Sequence, residues 1–151
     1  MRALVQRVKS AWVRVSEREV ARIELGLLAL VGFAHGDGPA ELRWMARKIC
    51  GLRIFADEAG RMSRDLREVG GAVLVVPQFT LYGDVKKGFR PDFSRSLDKV
   101  AAAQRFLEFV DYLHQEAIPV ATGEFGAEME VGLVNDGPVT IWLEKEGSHA
   151  S

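Results

Sequence analysis

Gly70-Gly71-Ala72-Val73-Leu74-Val75-Val76-Pro77-Gln78-Phe79-Thr80-Leu81 decides the fold class of this chain. The unbroken apolar run Ala72–Val76, with glycines before it and a proline after it, predicts a buried strand. Leu27–Phe33 is a second continuous apolar run and predicts another. Elsewhere the strand signals alternate: Ala3–Val8, Ala11–Val15, Val20–Leu25, Met129–Leu133 and Val139–Leu143. These read as antiparallel strands joined by short polar turns.

Helical spacing appears in two places. His35-Gly36-Asp37-Gly38-Pro39 opens a helix whose buried face is Leu42, Met45, Ala46 and Ile49, and Gly51 ends it. Leu97 to Ala117 is the stronger signal, with Val100, Ala103, Phe106, Leu107, Val110 and Leu113 recurring at helical intervals. Pro119 follows it. Leu52–Phe55 reads as a short strand, Asp57–Gly60 as a turn and Asp65–Val69 as one helical turn. The expectation is a single α+β domain over 1–151, with a mainly antiparallel sheet and two main helices. The polar tail from about residue 146 is expected to fray.

Composition bounds the function. The 151 residues carry 20 Lys and Arg against 21 Asp and Glu, so a large electrostatic grip on duplex nucleic acid is not expected. The one cysteine, Cys50, excludes an internal disulfide. It sits in the apolar stretch Trp44–Cys50 and reads as a packed thiol. The N-terminus lacks a signal-peptide apolar block, and Leu27–Ala34 is too short to span a bilayer. A cytoplasmic protein with no membrane partner is the expectation.

Conventional catalytic signatures are missing. There is no Gly-x-Ser-x-Gly elbow and no phosphate-cradling Gly-x-x-x-x-Gly-Lys-Ser/Thr. His35, His114 and His149 are scattered among loop, helix surface and tail, without a paired nucleophile. No spacing of His or Cys suits a metal, so neither metal nor cofactor is expected. What remains is the end of the apolar strand. Gln78, Phe79 and Thr80 leave a buried run where loops carry function, and main-chain amides there can stabilise an oxyanion. Thr80 as nucleophile is the alternative, lacking an adjacent base. Lys86-Lys87-Gly88-Phe89-Arg90 follows, as a solvated loop or as a phosphate contact. Val134-Asn135-Asp136-Gly137-Pro138-Val139-Thr140 reads either as a turn between strands or as rigid main chain aimed at a ligand.

Val75–Gly83, Lys87–Phe93 and Val134–Thr140 together resemble the hallmark stretches of the D-aminoacyl-tRNA deacylase family. Ala3–Val8 and Thr122–Met129 are also similar, so the resemblance runs over nearly the whole chain in order. It implies hydrolysis of the ester that joins a D-amino acid to the terminal adenosine of tRNA. It implies a homodimer with its sites at the subunit interface and the aminoacyl-tRNA 3′ end as partner. Gln78, Phe79 and Thr80 would form one wall of the site, the last two through their main-chain amides. Gly137 and Pro138, joined by a cis bond, would form the chirality-reading wall from the other subunit. Phe125 and Met129 match positions near the terminal adenine, and Arg7 a position that supports dimer and site. One departure stands out: family members commonly have Ser where this chain has Pro77. Three other readings remain on sequence grounds: a non-catalytic RNA-binding module, a hydrolase of small D-amino-acid esters using Thr80, and a structural dimer.

Overall fold

A computed structural model describes residues 1–147. In chain order the elements are β1 (Arg2–Val15), β2 (Arg18–Ile23), β3 (Gly26–Gly32), α1 (Pro39–Gly51), β4 (Phe55–Ala56) and β5 (Met62–Arg64). There follow α2 (Leu66–Val69), β6 (Ala72–Pro77), a 3₁₀ turn (Phe79–Tyr82), α3 (Lys99–Gln115), β7 (Val120–Thr122) and β8 (Glu130–Glu144). This is the α+β arrangement expected, with two main helices.

The sheet has two centres. β1 pairs antiparallel with β2 and β3 along one edge and with β8 along the other. β6, the apolar run quoted above, lies parallel between β3 and β7. Both its faces are buried, which is why its sequence does not alternate. Val73 and Val75 join the core beneath the helices, while Leu74 and Val76 join a second core that the curled sheet encloses by itself.

Two of the longest strands differ from the sequence reading. Residues 2–15 form one strand rather than two. Lys9-Ser10 does not reverse the chain. Instead the register against β8 shifts there, so Ala3 and Val5 face the helices while Ala11 and Val13 face the second core. β8 is likewise one strand through Asn135-Asp136-Gly137-Pro138. A hairpin would need its two halves to pair with each other, but both halves pair with β1. Gln6 faces Thr140 and Val8 faces Asn135, so Arg7 alone spans the gap opposite residues 136–139. The segment is therefore a wide bulge, not a turn.

The helices bury the faces that packing selects. α1 buries Leu42, Met45, Ala46 and Ile49 as expected, and runs through Gly51 to a cap at Leu52. α3 starts at Lys99, with the Asp98 carboxylate accepting from the Ala101 N–H. It buries Ala102, Phe106, Phe109 and Leu113, whereas Val100 is 82% exposed and Leu107 62% exposed. Two apolar stripes overlap on this helix. The one carrying Phe109 wins because its ring packs edge-on against Phe33, with centroids 6.5 Å apart. Truncating the fully buried Phe109 to Ala is expected to cost about 3–5 kcal/mol. The short strand expected at Leu52–Phe55 is reduced to Phe55–Ala56, paired with Met62–Arg64 around a turn that the Asp57 carboxylate organises.

Candidate active site

Pro77 sits at the last parallel rung of β6, opposite Val31. Successive residues of a strand point their N–H groups to opposite edges. The Gln78 N–H donates to the Val31 carbonyl at 2.7 Å, so Pro77 faces the β7 edge. The β6–β7 pairing has already ended, at Val75 opposite Thr122. Proline is therefore tolerated here because no ladder donor is needed at that point.

Beyond Pro77 the chain turns into the 3₁₀ segment. Its ladder begins with the Leu81 N–H donating to the Gln78 carbonyl at 3.3 Å. The amides of Phe79 and Thr80 precede that bond and have no hydrogen-bond partner among the described residues. The far end of the turn is held by Arg2, whose Nη1 donates to the Leu81 carbonyl at 2.9 Å and whose guanidinium stacks on Tyr82. The Thr80 hydroxyl accepts from the Gln78 side-chain amide. An amide N–H is no base, so nothing there activates Thr80 as a nucleophile.

Gln78 and Phe79 line a cleft of about 660 Å³ that also contains Phe125 and Met129. Phe125 packs against Phe106 at 5.9 Å between centroids, and Phe93 meets Phe79 edge-on at 5.1 Å. The cleft thus offers ring faces and a polarisable sulfur, suited to the flat stacking face of a ligand such as a nucleobase. Asp98 and Lys99, at the start of α3, supply polar groups in its lining. Phe93, Arg2 and Lys99 have no role that sequence reasoning assigns. The Lys87–Phe93 stretch carries the available signal for the first; the others become visible only when β1 and α3 are placed beside the cleft.

Gly137 and Pro138 lie elsewhere. Their peptide bond is cis, and both residues are at the crest of the β8 bulge, Pro138 exposed. Gly137 has φ +134°, a region that L side chains rarely adopt. Arg7 braces the bulge from below: its Nε donates to the Asp136 carbonyl at 2.9 Å and its Nη1 to the Ile54 carbonyl at 2.6 Å. From the other side, the Val139 N–H donates to Asn135 Oδ1 at 2.8 Å.

Within one chain these two groups of residues do not meet. Arg7 is opposite Leu27, whereas the cleft begins at Val31, farther along β3. At about 3.3 Å per residue, that separates the bulge from the cleft by roughly 13 Å along the strand, before the intervening strands are crossed. The structure brings Gln78, Phe79, Phe125 and Met129 together, keeps Thr80 beside them, and leaves Arg7, Gly137 and Pro138 apart.

Side-chain acid–base chemistry has no obvious seat. His35 and His114 are exposed, and His149 lies outside the described residues. No group of three or more His, Cys, Asp or Glu suited to a metal occurs among the described residues. Cys50 is buried, and burial, together with the Glu116 carboxylate, pushes its thiol up to about 12. None of the described helices is long and apolar enough to cross a membrane.

Residues 4–144 match the family model described as D-Tyr-tRNA(Tyr) deacylase. The D-aminoacyl-tRNA deacylase of Thermomicrobium roseum is 52% identical over 144 residues, covering 95% of this chain and 94% of that protein. The corresponding protein of Chlorobaculum parvum is 50% identical over 145 residues, with 95% and 97% covered. A solved structure titled "c-Myc DNA Unwinding Element Binding Protein" superposes with a TM-score of 0.93 at 39% identity, covering 97% of this chain and all of that one (100%). A second, titled as a probable eukaryotic D-amino acid tRNA deacylase, shares the fold with a TM-score of 0.80 at 19% identity, covering 94% of this chain and 97% of that one.

Proposed function

The chain belongs to the D-aminoacyl-tRNA deacylase family, and from that premise we propose how its residues divide the work. The activity is hydrolysis of the ester of D-aminoacyl-tRNA to free D-amino acid and tRNA. The observation that carries the mechanistic reading is the pair of unpartnered amides, Phe79 and Thr80, beside a cleft whose hydroxyl, Ser96, donates to the Leu97 carbonyl rather than to a base, and whose carboxylate, Asp98, accepts from the Ala101 N–H.

The substrate is an activated ester, so little side-chain chemistry is needed. Water attacks the carbonyl carbon, and the oxygen becomes an oxyanion held by the amides of Phe79 and Thr80. The ester oxygen of the ribose then leaves with a proton. Losing one such donor typically costs about 3 kcal/mol of transition-state stabilisation. Gln78 positions the wall and ties down the Thr80 hydroxyl. The neighbouring ribose 2′-OH orients the water, which makes RNA part of the catalyst. Phe125 and Met129 hold the terminal adenine.

Chirality is read by exclusion. A homodimer would carry the Gly137-Pro138 bulge of one subunit to the cleft of the other, since one chain alone keeps them apart. The main chain of that bulge, braced by Arg7, would clash with an L side chain and leave room for a D one. Glycine has no side chain to reject, so glycyl-tRNA is also hydrolysed. The side chain of the D-amino acid points away from the wall, so its identity matters little.

The test is deacylation of D-aminoacyl-tRNA ending in adenosine or in 2′-deoxyadenosine. The 2′-deoxy substrate should be hydrolysed very poorly. Equal rates would remove the RNA from the mechanism.

A further inference from the structure

Residues 84–92 form a closed loop that the hydrolytic reading does not use. Its base is a rung in which the Asp84 N–H donates to the Asp92 carbonyl at 2.8 Å and the Asp92 N–H donates back at 2.9 Å. The Asp84 carboxylate also accepts from the Lys86 N–H at 2.9 Å, and that of Asp92 from the Ser94 N–H at 2.7 Å. Both carboxylates are thus turned back to the loop's own base. Gly88, at φ +88°, reverses the chain at the tip. Next to it Phe89 is 103% exposed, so its ring touches essentially nothing in this chain. Lys86, Lys87 and Arg90 flank it, all exposed and none in an ion pair among the described residues.

The loop's position connects it to the cleft. Phe93, one residue beyond the closing rung, lines the cleft and contacts Phe79. The base of the loop thus borders the cleft, within reach of an RNA strand whose last adenosine occupies it. A bare aromatic ring among three cations has the composition of a single-strand platform, with phosphates held by charge and a base stacked on the ring. Val85, 59% exposed, adds an apolar side chain near the base of the loop, but at the tip Phe89 is flanked by Gly88 and Arg90, so a single ring and charge face outward there rather than the apolar patch a protein partner would more naturally meet.

We infer that the 84–92 loop is a binding site for the unpaired nucleotides preceding the terminal adenosine, with Phe89 stacking on one base and Lys86, Lys87 and Arg90 contacting the phosphates. The inference rests on the reading of the cleft as the site of the terminal adenosine. It makes the loop a determinant of affinity for the tRNA rather than of the ester chemistry.

The experiment compares Phe89→Ala, Phe89→Tyr and wild type on two substrates: D-aminoacyl-tRNA and the D-amino-acid ester of adenosine alone. With tRNA, Phe89→Ala should raise KM roughly 5- to 100-fold at unchanged kcat, as expected when stacking is removed equally from ground and transition states. Phe89→Tyr should restore the wild-type KM. With the adenosine ester all three should behave alike. Replacing Lys86, Lys87 and Arg90 by Ala should flatten the salt dependence of tRNA binding by about 0.7 log units per decade of salt for each phosphate no longer neutralised. Unchanged tRNA kinetics in Phe89→Ala would overturn the inference and leave the ring for another partner. An equal loss on both substrates would also overturn it. Failure of the wild type to hydrolyse either substrate would refute the cleft reading instead.

Discussion

Arg7 donates from Nε to the main-chain carbonyl of Asp136 at 2.9 Å, joining the first strand to the bulge of the last. The Arg7 side chain is 12% exposed, and its Nη1 also holds the Ile54 carbonyl. Removing it leaves part-buried carbonyls without their charged donor. Arg7→Ala is therefore expected to cost about 2–3 kcal/mol of stability, read from denaturant midpoints. It should also reduce the preference for D- over L-aminoacyl-tRNA. Lysine is not an adequate substitute, because one ammonium cannot reproduce the two-armed brace. A stable Arg7→Ala protein with undiminished discrimination would show that the brace is irrelevant.

Gly137→Ala tests the bulge itself. A Cβ there would meet Val139 Cγ2 at 2.8 Å, the Val139 nitrogen at 3.0 Å and Arg7 Nη2 at 3.1 Å, in backbone of φ +134°. The expected outcome is a loss of about 1–3 kcal/mol together with weaker rejection of L-aminoacyl-tRNA. Thermal melting and paired deacylation assays read the two effects separately.

Thr80→Ala separates main-chain from side-chain catalysis. The Thr80 hydroxyl has the Gln78 amide as its partner, not a base. The variant should keep most of the wild-type rate, because the amide nitrogen survives the substitution. Near-complete loss in a folded variant would make the hydroxyl the nucleophile.

Cys50 gives a prediction about pH. Its thiol is pushed up to about 12 in the folded chain, whereas an unfolded thiol titrates near ~8.5. Above ~8.5 the unfolded state loses a proton that the folded state retains, so stability falls as pH rises toward 12. Urea midpoints at pH values from roughly 8 to 10 should fall more steeply for wild type than for Cys50→Ala. Parallel slopes would contradict this. Iodoacetamide should label the native thiol only after unfolding.

Much of this architecture can be read in the residues. The apolar run Ala72–Val76 announces a strand with two buried faces, and the α1 stripe of Leu42, Met45, Ala46 and Ile49 needs only periodicity. Gln78 and Phe79 are visible as polar and aromatic residues leaving a buried strand. The bulge is harder to see. Asn135-Asp136-Gly137-Pro138 has the local chemistry of a turn, and only the pairing of both flanks with β1 makes it a bulge. The α3 face is ambiguous for a related reason: Val100 and Leu107 fit helical spacing as well as Phe109 does, and neighbouring elements decide which side is covered. The distance between Arg7 and the cleft is likewise a property of the register, which no local pattern records.

The central claim is that main chain at Gly137-Pro138 rejects L-amino acids while the amides of Phe79 and Thr80 accept the ester. It is tested most directly by single-turnover deacylation of D- and L-aminoacyl-tRNA carrying the same amino acid on the same tRNA. The expected result is release of the D-amino acid at least about a hundredfold faster. Comparable rates for the two enantiomers would contradict it.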